Sequence, residues 1–480
     1  MEADNTRRDF LVAGTLAAGL AAMGAEVDAA APPPRPEKPE HAHEHHGHQT
    51  YPRTHAGVGG PVGSPTDRGK LVPGLRSATE PPVLVETPDL PNNLPWKVVE
   101  GAKEFHLHAQ PVKRELLPDA FMNHWGYNGG MPGPTIQVTE GDRVRIVVHN
   151  GLPEATSLHL HGLELPNAMD GVPHLIQSPI APGKKGVYEL TVHQTGTYFY
   201  HAHEAMQEAL GMVGLFIIHP RSAYQPVVDQ DFALITQEFR IRPASDTPDT
   251  TIMDFNWLTF NGRCGPYVTP LVVRLGNRVR IRFLNFSTAD HHPIHLHGHT
   301  FWVTGTEGGR IPESAWIPGN NVLVGVAQVR EVEFIANNPG DWVMHCHMFH
   351  HMMNHMVPGI GPGSRGMAKG GAEDPRYRVP AFPQETGMMA PMPPAEMKKI
   401  TKNPRTRGMR PMWPMGVMGL MTVVRVLPPD LYDKVVSGKG EVSPGASVPG
   451  SQPAHDMEGM EGMEGMKGMK GMKGMKGMKP

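Results

Sequence analysis

One pattern occurs twice in this chain and limits what it folds into more than any other feature. In the first copy Tyr127-Asn128-Gly129 leads to Thr135-Ile136-Gln137-Val138, a turn at Gly141, the segment Arg143-Val144-Arg145-Ile146, and then His159-Leu160-His161-Gly162. In the second, Phe260-Asn261-Gly262 leads to Leu271-Val272-Val273, a turn at Gly276, Arg278-Val279-Arg280-Ile281, and His295-Leu296-His297-Gly298. The offset is 135 residues at Arg-Val-Arg-Ile and 136 at His-Leu-His-Gly. The match continues with Gly196-Thr197-Tyr198-Phe199-Tyr200-His201 against Gly340-Asp341-Trp342-Val343-Met344-His345. Short β-branched or aromatic segments bounded by Gly, Pro and Asn read as strands, and a series of them reads as an antiparallel sandwich. The chain is therefore expected to be all-β, with two tandem Greek-key β-sandwich domains at 96–222 and 228–430. Its 55 Gly and 50 Pro in 480 residues disfavour an all-helical alternative.

The flanks read differently. Thr6-Arg7-Arg8-Asp9-Phe10-Leu11 precedes an apolar run from Leu11 to Met23 and small residues at 29–31, the pattern of a twin-arginine export signal spanning 1–31. The apolar run is too short to span a bilayer, so no membrane span is expected. Export of this kind points to the periplasm or the exterior of a bacterium. Residues 32–95 are rich in Pro, Gly and charge and read as a disordered arm. Its His41-Ala42-His43-Glu44-His45-His46-Gly47-His48 either binds Cu(II) or Zn(II) or is solvated polar chain. The segment 431–480 is expected as a Met/Gly-rich tail in which Met457 to Met478 places eight Met every third residue, a density of thioether suited to Cu(I) or else an inert tail.

Charge excludes one class of partner. Lys+Arg number 44 against 47 Asp+Glu, which lacks the basic footprint of a nucleic-acid binder. Two Cys build no disulfide framework, whereas 28 His and 31 Met suggest metal, and thioether in particular suggests copper. The histidines gather in four motifs: His159-Leu160-His161, His201-Ala202-His203, His292-Pro293-Ile294-His295-Leu296-His297, and His345-Cys346-His347 continuing to His351 and Met356. One His-x-His is weak evidence, but a pair in each half of two repeated domains is strong. In a strand, residues i and i+2 share a face while i+1 points to the other. His345 and His347 are thus expected on one side and Cys346 on the opposite side, which sets a thiolate site back to back with an imidazole site. His292, His351 and Met356 complete the two-His, one-Cys, weak-axial-Met set of a blue copper centre.

These four motifs resemble those of the multicopper oxidases, whose domains are cupredoxins, over roughly residues 120–360. By position, the resemblance implies type 1 copper at His292, Cys346, His351 and Met356. It implies type 2 copper at His159 and His295, and two type 3 coppers at His161, His201, His203, His297, His345 and His347. Four coppers per chain would then take single electrons from a donor and reduce O2 to water. Three-domain laccases insert a cupredoxin between the second and third motifs. Here only 89 residues separate His203 from His292, so the chain resembles the two-domain, small-laccase type. That type implies a homotrimer with trinuclear clusters between neighbouring chains. The first repeat carries Ala202, Gln207 and Thr156 where the second has Cys346, His351 and His292, so only the second domain is expected to hold type 1 copper. This separates the chain from copper nitrite reductases.

Three further residues or segments call for separate reading. A Gly/Pro/Met-rich insertion, 358–414, separates Met356 from the closing strand, which leaves Met415 or Met418 as alternative axial ligands and a lid over the donor entrance as its role. Asp170 matches an acid after the first motif in relatives and is a candidate proton relay. Cys264 reads as a buried structural thiol. The functional expectation is a laccase-like oxidase with a phenol or aromatic amine as donor. Alternatives are a metal oxidase acting on Cu(I) or Mn(II), and a copper-sequestering protein.

Overall fold

The computed structural model describes residues 81–91, 93–242, 245–352 and 394–448, all within one unit spanning 57–480. The export signal, the His-rich arm, Met356, most of the insertion and the Met-rich tail lie outside the described residues. Among the described residues, no helix is long and apolar enough to cross a membrane.

The first domain is a sandwich of two sheets. One holds β1 (Trp96–Val99), β2 (Ala102–Leu117), β3 (Ala120–Tyr127), β5 (Arg143–Asn150) and β7 (Lys185–Thr191). The other runs in the order β4 (Ile136–Thr139), β9 (Val213–His219), β8 (Gly196–His201) and β6 (His159–His161). Alternation along β5 turns Val144, Ile146 and Val148 into the core while Arg143 and Arg145 face outward. Between the sheets pack Phe105, Leu107, Tyr188, Tyr198, Tyr200 and Phe216.

The second domain repeats this plan. Its first sheet holds β10 (Gln230–Phe239), β11 (Trp257–Phe260), β13 (Arg278–Asn285), β19 (Val329–Ile335), β15 (Phe301–Thr306), β16 (Gly309–Arg310) and β17 (Ile317–Gly319). The second is ordered β12 (Leu271–Arg274), β21 (Met421–Leu427), β20 (Gly340–Cys346), β14 (His292–Leu296) and β18 (Asn321–Val324). The equivalence extends to strand direction. β2 pairs parallel with β5 as β10 does with β13, and β4 parallel with β9 as β12 does with β21. β6 lies antiparallel to β8 as β14 does to β20. Both cupredoxin-like sandwiches expected from the repeat are present.

The domains meet face to face. Phe199, Val213, Leu215 and Ile217, on the outer side of β8 and β9, pack with Ala233, Ile235, Leu284 and Val329 of β10, β13 and β19. The first sheet of the second domain is thus covered on both sides, which is why every residue of β13 is buried.

Chain regions read as arm, insertion and tail take part in this packing. Val85 joins the interdomain cluster, Glu86 bridges to Phe232, and Asp89 pairs with Arg263 at 2.8 Å. An arm ending at residue 95 is therefore too long, since 81–91 is bound to the second domain. Within the stretch read as insertion, helix α2 (Pro394–Thr401) buries Ile400 against Leu116, Leu117 and Ala120, and Lys399 reaches Glu115 at 2.7 Å. Helix α3 (Pro429–Ser437) seats Val435 on Val272 and Leu427, beyond the expected domain end at 430. In each case a few apolar anchors in Pro- and Gly-rich sequence suffice to fix the chain.

Candidate metal centres

β14 and β20 lie side by side with Ile294 opposite Cys346 and His295 opposite His345. Alternation sends Cys346 into the core of the second domain, beside Ile294, Val324 and Leu296. There it meets His292 from the start of β14 and His351 from the turn after β20. The sulfur is 3.7 Å from His292 Nδ1 and 3.6 Å from His351 Nδ1, and the two nitrogens are 3.2 Å apart. Each ring is held by its far nitrogen: His292 Nε2 lies 2.7 Å from Ser287 Oγ, and His351 Nε2 lies 3.3 Å from Asp290 Oδ2. Both Nδ1 atoms are left for a shared ligand, the arrangement outer hydrogen bonds give to metal-binding imidazoles. Nitrogens sharing one ion at about 2 Å each stand about 3 to 3.5 Å apart, so the set fits a single metal, and one thiolate with two imidazoles suits copper.

Electrostatics agree. Burial, with His351 alongside, pulls His292 down to about 3, and burial also lowers His351. Both are therefore neutral ligands at ordinary pH. Burial pushes the Cys346 thiol up to about 12, so a metal must displace its proton to bind.

On the other face of these strands four imidazoles gather. His297 Nε2 is 3.2 Å from His345 Nε2, and the His347 ring is within 5.6 Å of His295 and 5.3 Å of His345, centre to centre. His295 Nδ1 donates to the Asn320 carbonyl at 2.6 Å and His345 Nδ1 to the Cys346 carbonyl at 2.8 Å, which turns both Nε2 atoms outward.

The first domain builds the matching group. His159 pairs across β6 and β8 with His201, and His161 Nδ1 lies 3.4 Å from His201 Nε2. His203 stands 5.4 Å from His159 between ring centres. His159 Nδ1 donates to the Asp170 carbonyl at 2.7 Å, and His201 Nδ1 to the Ala202 carbonyl at 2.7 Å. Burial, then the neighbouring His201 and His159, lowers His161 to about 4.

Among the described residues, the groups of three or more side chains able to hold a metal are His159-His161-His201 and His292-Cys346-His351, and neither spans both domains. The eight histidines expected in one cluster thus form two groups of four in one chain. The second group is the more open, with His297 and His347 exposed. Met356 lies outside the described residues. Met415 and Met418 pack with Cys264, Trp257 and Met131, a different cluster from that of Cys346.

Two profiles of the multicopper oxidase family match the chain, at residues 109–223 and 241–359. The chain belongs to the multicopper oxidases. Copper resistance protein A of Pseudomonas syringae pv. tomato is 48% identical over 94 residues, 20% of this chain and 15% of that protein. Multicopper oxidase mco of Staphylococcus aureus is 30% identical over 236 residues, 46% of this chain and 51% of that protein. The chain thus spans about half, or less, of the length of these relatives. A blue copper oxidase structure from Nitrosomonas europaea is similar at 28% identity and a TM-score of 0.49, over 53% of this chain and 82% of that one.

The geometry of this multicopper oxidase also sets acids beside the histidines, one expected and others not. Asp170, the expected relay, has its carboxylate 3.6 Å from His159 Nδ1, and Glu208 of helix α1 (Ala205–Ala209) lies 3.5 Å from His201 Nδ1. Asp290 touches His351. Next to it Glu238 accepts hydrogen bonds from the Ala289 and Asp290 amides, and burial plus the Asp290 charge push its carboxyl well above the usual range. A signal for Asp290 was in the sequence, two residues before His292. Glu238 lies on a distant strand and gave none.

Proposed function

We propose that the protein is a laccase-like oxidase in which His292, Cys346 and His351 hold a type 1 copper. In this reading His159 and His295 hold a type 2 copper, and His161, His201, His203, His297, His345 and His347 hold two type 3 coppers. When bound, these four coppers supply one-electron oxidation of a donor and four-electron reduction of O2 to water. The observation that carries the reading is the position of Cys346. Its side chain enters the sulfur site while its chain neighbours His345 and His347 turn to the imidazole group, so a few covalent bonds join the two.

The remaining residues have definable tasks. Ser287 and Asp290 orient the two imidazoles beside Cys346. The Asp170, Asn320, Ala202 and Cys346 carbonyls fix the tautomers of His159, His295, His201 and His345. Asp170 and Glu208 are the carboxylates placed to pass protons toward the histidines. Because each chain holds two separate half-groups, one on each domain, the reading includes a homotrimer in which the first-domain group of one chain faces the second-domain group of the next. Twin-arginine export would place it in the periplasm or outside the cell.

Phenols or aromatic amines are the proposed donors. A specific observation favours a second class, reduced cations such as Cu(I) or Mn(II): the half-exposed Asp290 carboxylate sits at the outer nitrogen of His351. O2 uptake by copper-loaded protein is measured with a phenol, Cu(I) and Mn(II) in turn. Cys346→Ser is expected to abolish both the blue absorption and donor oxidation, and full activity in that variant would sink the reading. Asp290→Asn is expected to lower kcat/KM for a cationic donor roughly tenfold or more, the loss of one charge-assisted contact, with a smaller effect on a neutral phenol.

A further inference from the structure

The repeat identifies the residue of the second domain that stands where Met212 stands in the first. In the first domain the Ala202 amide donates to the Met212 carbonyl at 3.3 Å, and the Met212 amide donates to the Gln207 carbonyl at 3.3 Å. In the second domain the Cys346 amide donates to the Leu420 carbonyl at 3.0 Å, and the Leu420 amide to the His351 carbonyl at 2.8 Å. Ala202 and Gln207 stand where Cys346 and His351 do, so Leu420 stands where Met212 does. Strand register gives the same answer: His201 pairs with Val213, the residue after Met212, and His345 pairs with Met421, the residue after Leu420.

Side-chain direction completes the match. Met212 is buried in one cluster with Ala202, Phe216 and Ile218. Leu420, fully buried, lies in one cluster with Cys346, Val424 and Val426. Met421 and Val423 point to the opposite face, where they meet Met352 and Met409. The first domain keeps an unused version of the whole constellation, Thr156, Ala202, Gln207 and Met212, with the Thr156 hydroxyl donating to Gln207 Oε1 at 2.7 Å. The thioether therefore survives in the domain without a cysteine and is replaced by an isobutyl group in the domain with one.

Resting on the type 1 assignment above, we propose that Leu420 fills the axial position beside His292, Cys346 and His351. In this reading a copper held there would have three protein ligands and no thioether. Met356, which counting along the chain selects, lies outside the described residues and in this reading is not the axial group. The axial ligand is one of the groups that set the redox potential of such a centre. A hydrocarbon in place of a sulfur donor withdraws support from the cupric state, raising the potential and widening the range of donors that can be oxidised.

The test uses the full-length, copper-loaded protein and its Leu420→Met and Met356→Leu variants. The readouts are the midpoint potential of the blue absorption, from redox titration, and the electron paramagnetic resonance spectrum. Leu420→Met, a swap close in volume, is expected to lower the potential and alter the spectrum at unchanged copper content, while Met356→Leu moves neither. A rise in potential in Met356→Leu, or an unmoved potential in Leu420→Met, overturns the assignment. Failure of the underlying reading looks different, because wild-type protein would then lack a blue band dependent on Cys346.

Discussion

His124 shows how a single side chain sets the response of the fold to acid. It is buried in β3, its ring edge-on to Phe239, with Nδ1 donating to the Leu210 carbonyl at 3.1 Å and Nε2 without a hydrogen-bond partner. Burial lowers it from 6.5 to about 3. Between those values the unfolded chain takes up a proton that the folded one refuses, so stability is complete above about 6.5 and declines as pH falls toward about 3. His219, lowered to about 4 by burial, acts in the same direction. Melting temperatures of wild type and His124→Asn between pH 4 and 7 check this, the variant being expected to show a shallower decline (about one titrating group less). An identical slope would show that His124 titrates normally in the fold. At this scale the opposite facing of Cys346 and its neighbouring histidines was legible because strand alternation is a local rule. Ser287, Glu208 and Leu420 were not, since each reaches its place through a turn, a helix or an insertion that spacing does not encode.

β5 and β13 carry the same Arg-Val-Arg-Ile, and their inward residues do the same work. Their arginines do not. Arg143 and Arg145 lie on an outer face, where Arg145 pairs with Glu189 and Glu100 at 2.8 Å each. Arg278, Arg280 and Arg282 are buried. Arg282 bonds Asp231 at 2.8 Å and Glu331 at 2.7 Å, and reaches the Thr197 hydroxyl of the first domain. Surface pairs contribute up to about 1 kcal/mol, whereas removing one partner from a buried set costs about 3–5 kcal/mol because charge is left uncompensated. Arg145→Ala is therefore expected to leave the free energy of denaturant unfolding nearly unchanged, and Arg282→Ala to lower it by about 3 kcal/mol or more. Equal costs would mean that the interdomain network is open to water. The sequence made both strands legible but not this difference, because what covers the outer face of β13 is another domain. The same reason hid the packing of 81–91, α2 and α3, whose anchors are single apolar residues in otherwise unpatterned chain.

In the whole molecule, the two imidazole groups lie on sheets that cannot meet within one chain. The first-domain group is on the sheet that faces the second domain, while the second-domain group is on the sheet behind, with β10, β13 and β19 between them. Stacked sheets stand about 10 Å apart, too far for ring nitrogens to share ions. If chains complete one another in a closed trimer, defects in different domains must complement. Co-expression of a His161→Ala/His203→Ala chain with a His295→Ala/His297→Ala chain supplies both kinds of defect. Neither chain alone assembles an intact eight-histidine cluster, nor does either homotrimer. Every mixed trimer has one junction at which an intact first domain meets an intact second domain. With random assembly from equal amounts, about three quarters of trimers are mixed and each has one good site of three, so roughly a quarter of wild-type O2 uptake is expected to return. The second-domain partner at that junction also carries His292, Cys346 and His351 unaltered, so electron entry is preserved in the restored site. If activity stays at the level of the single variants while the mixed trimers are present by native mass spectrometry, the cluster is not built between chains.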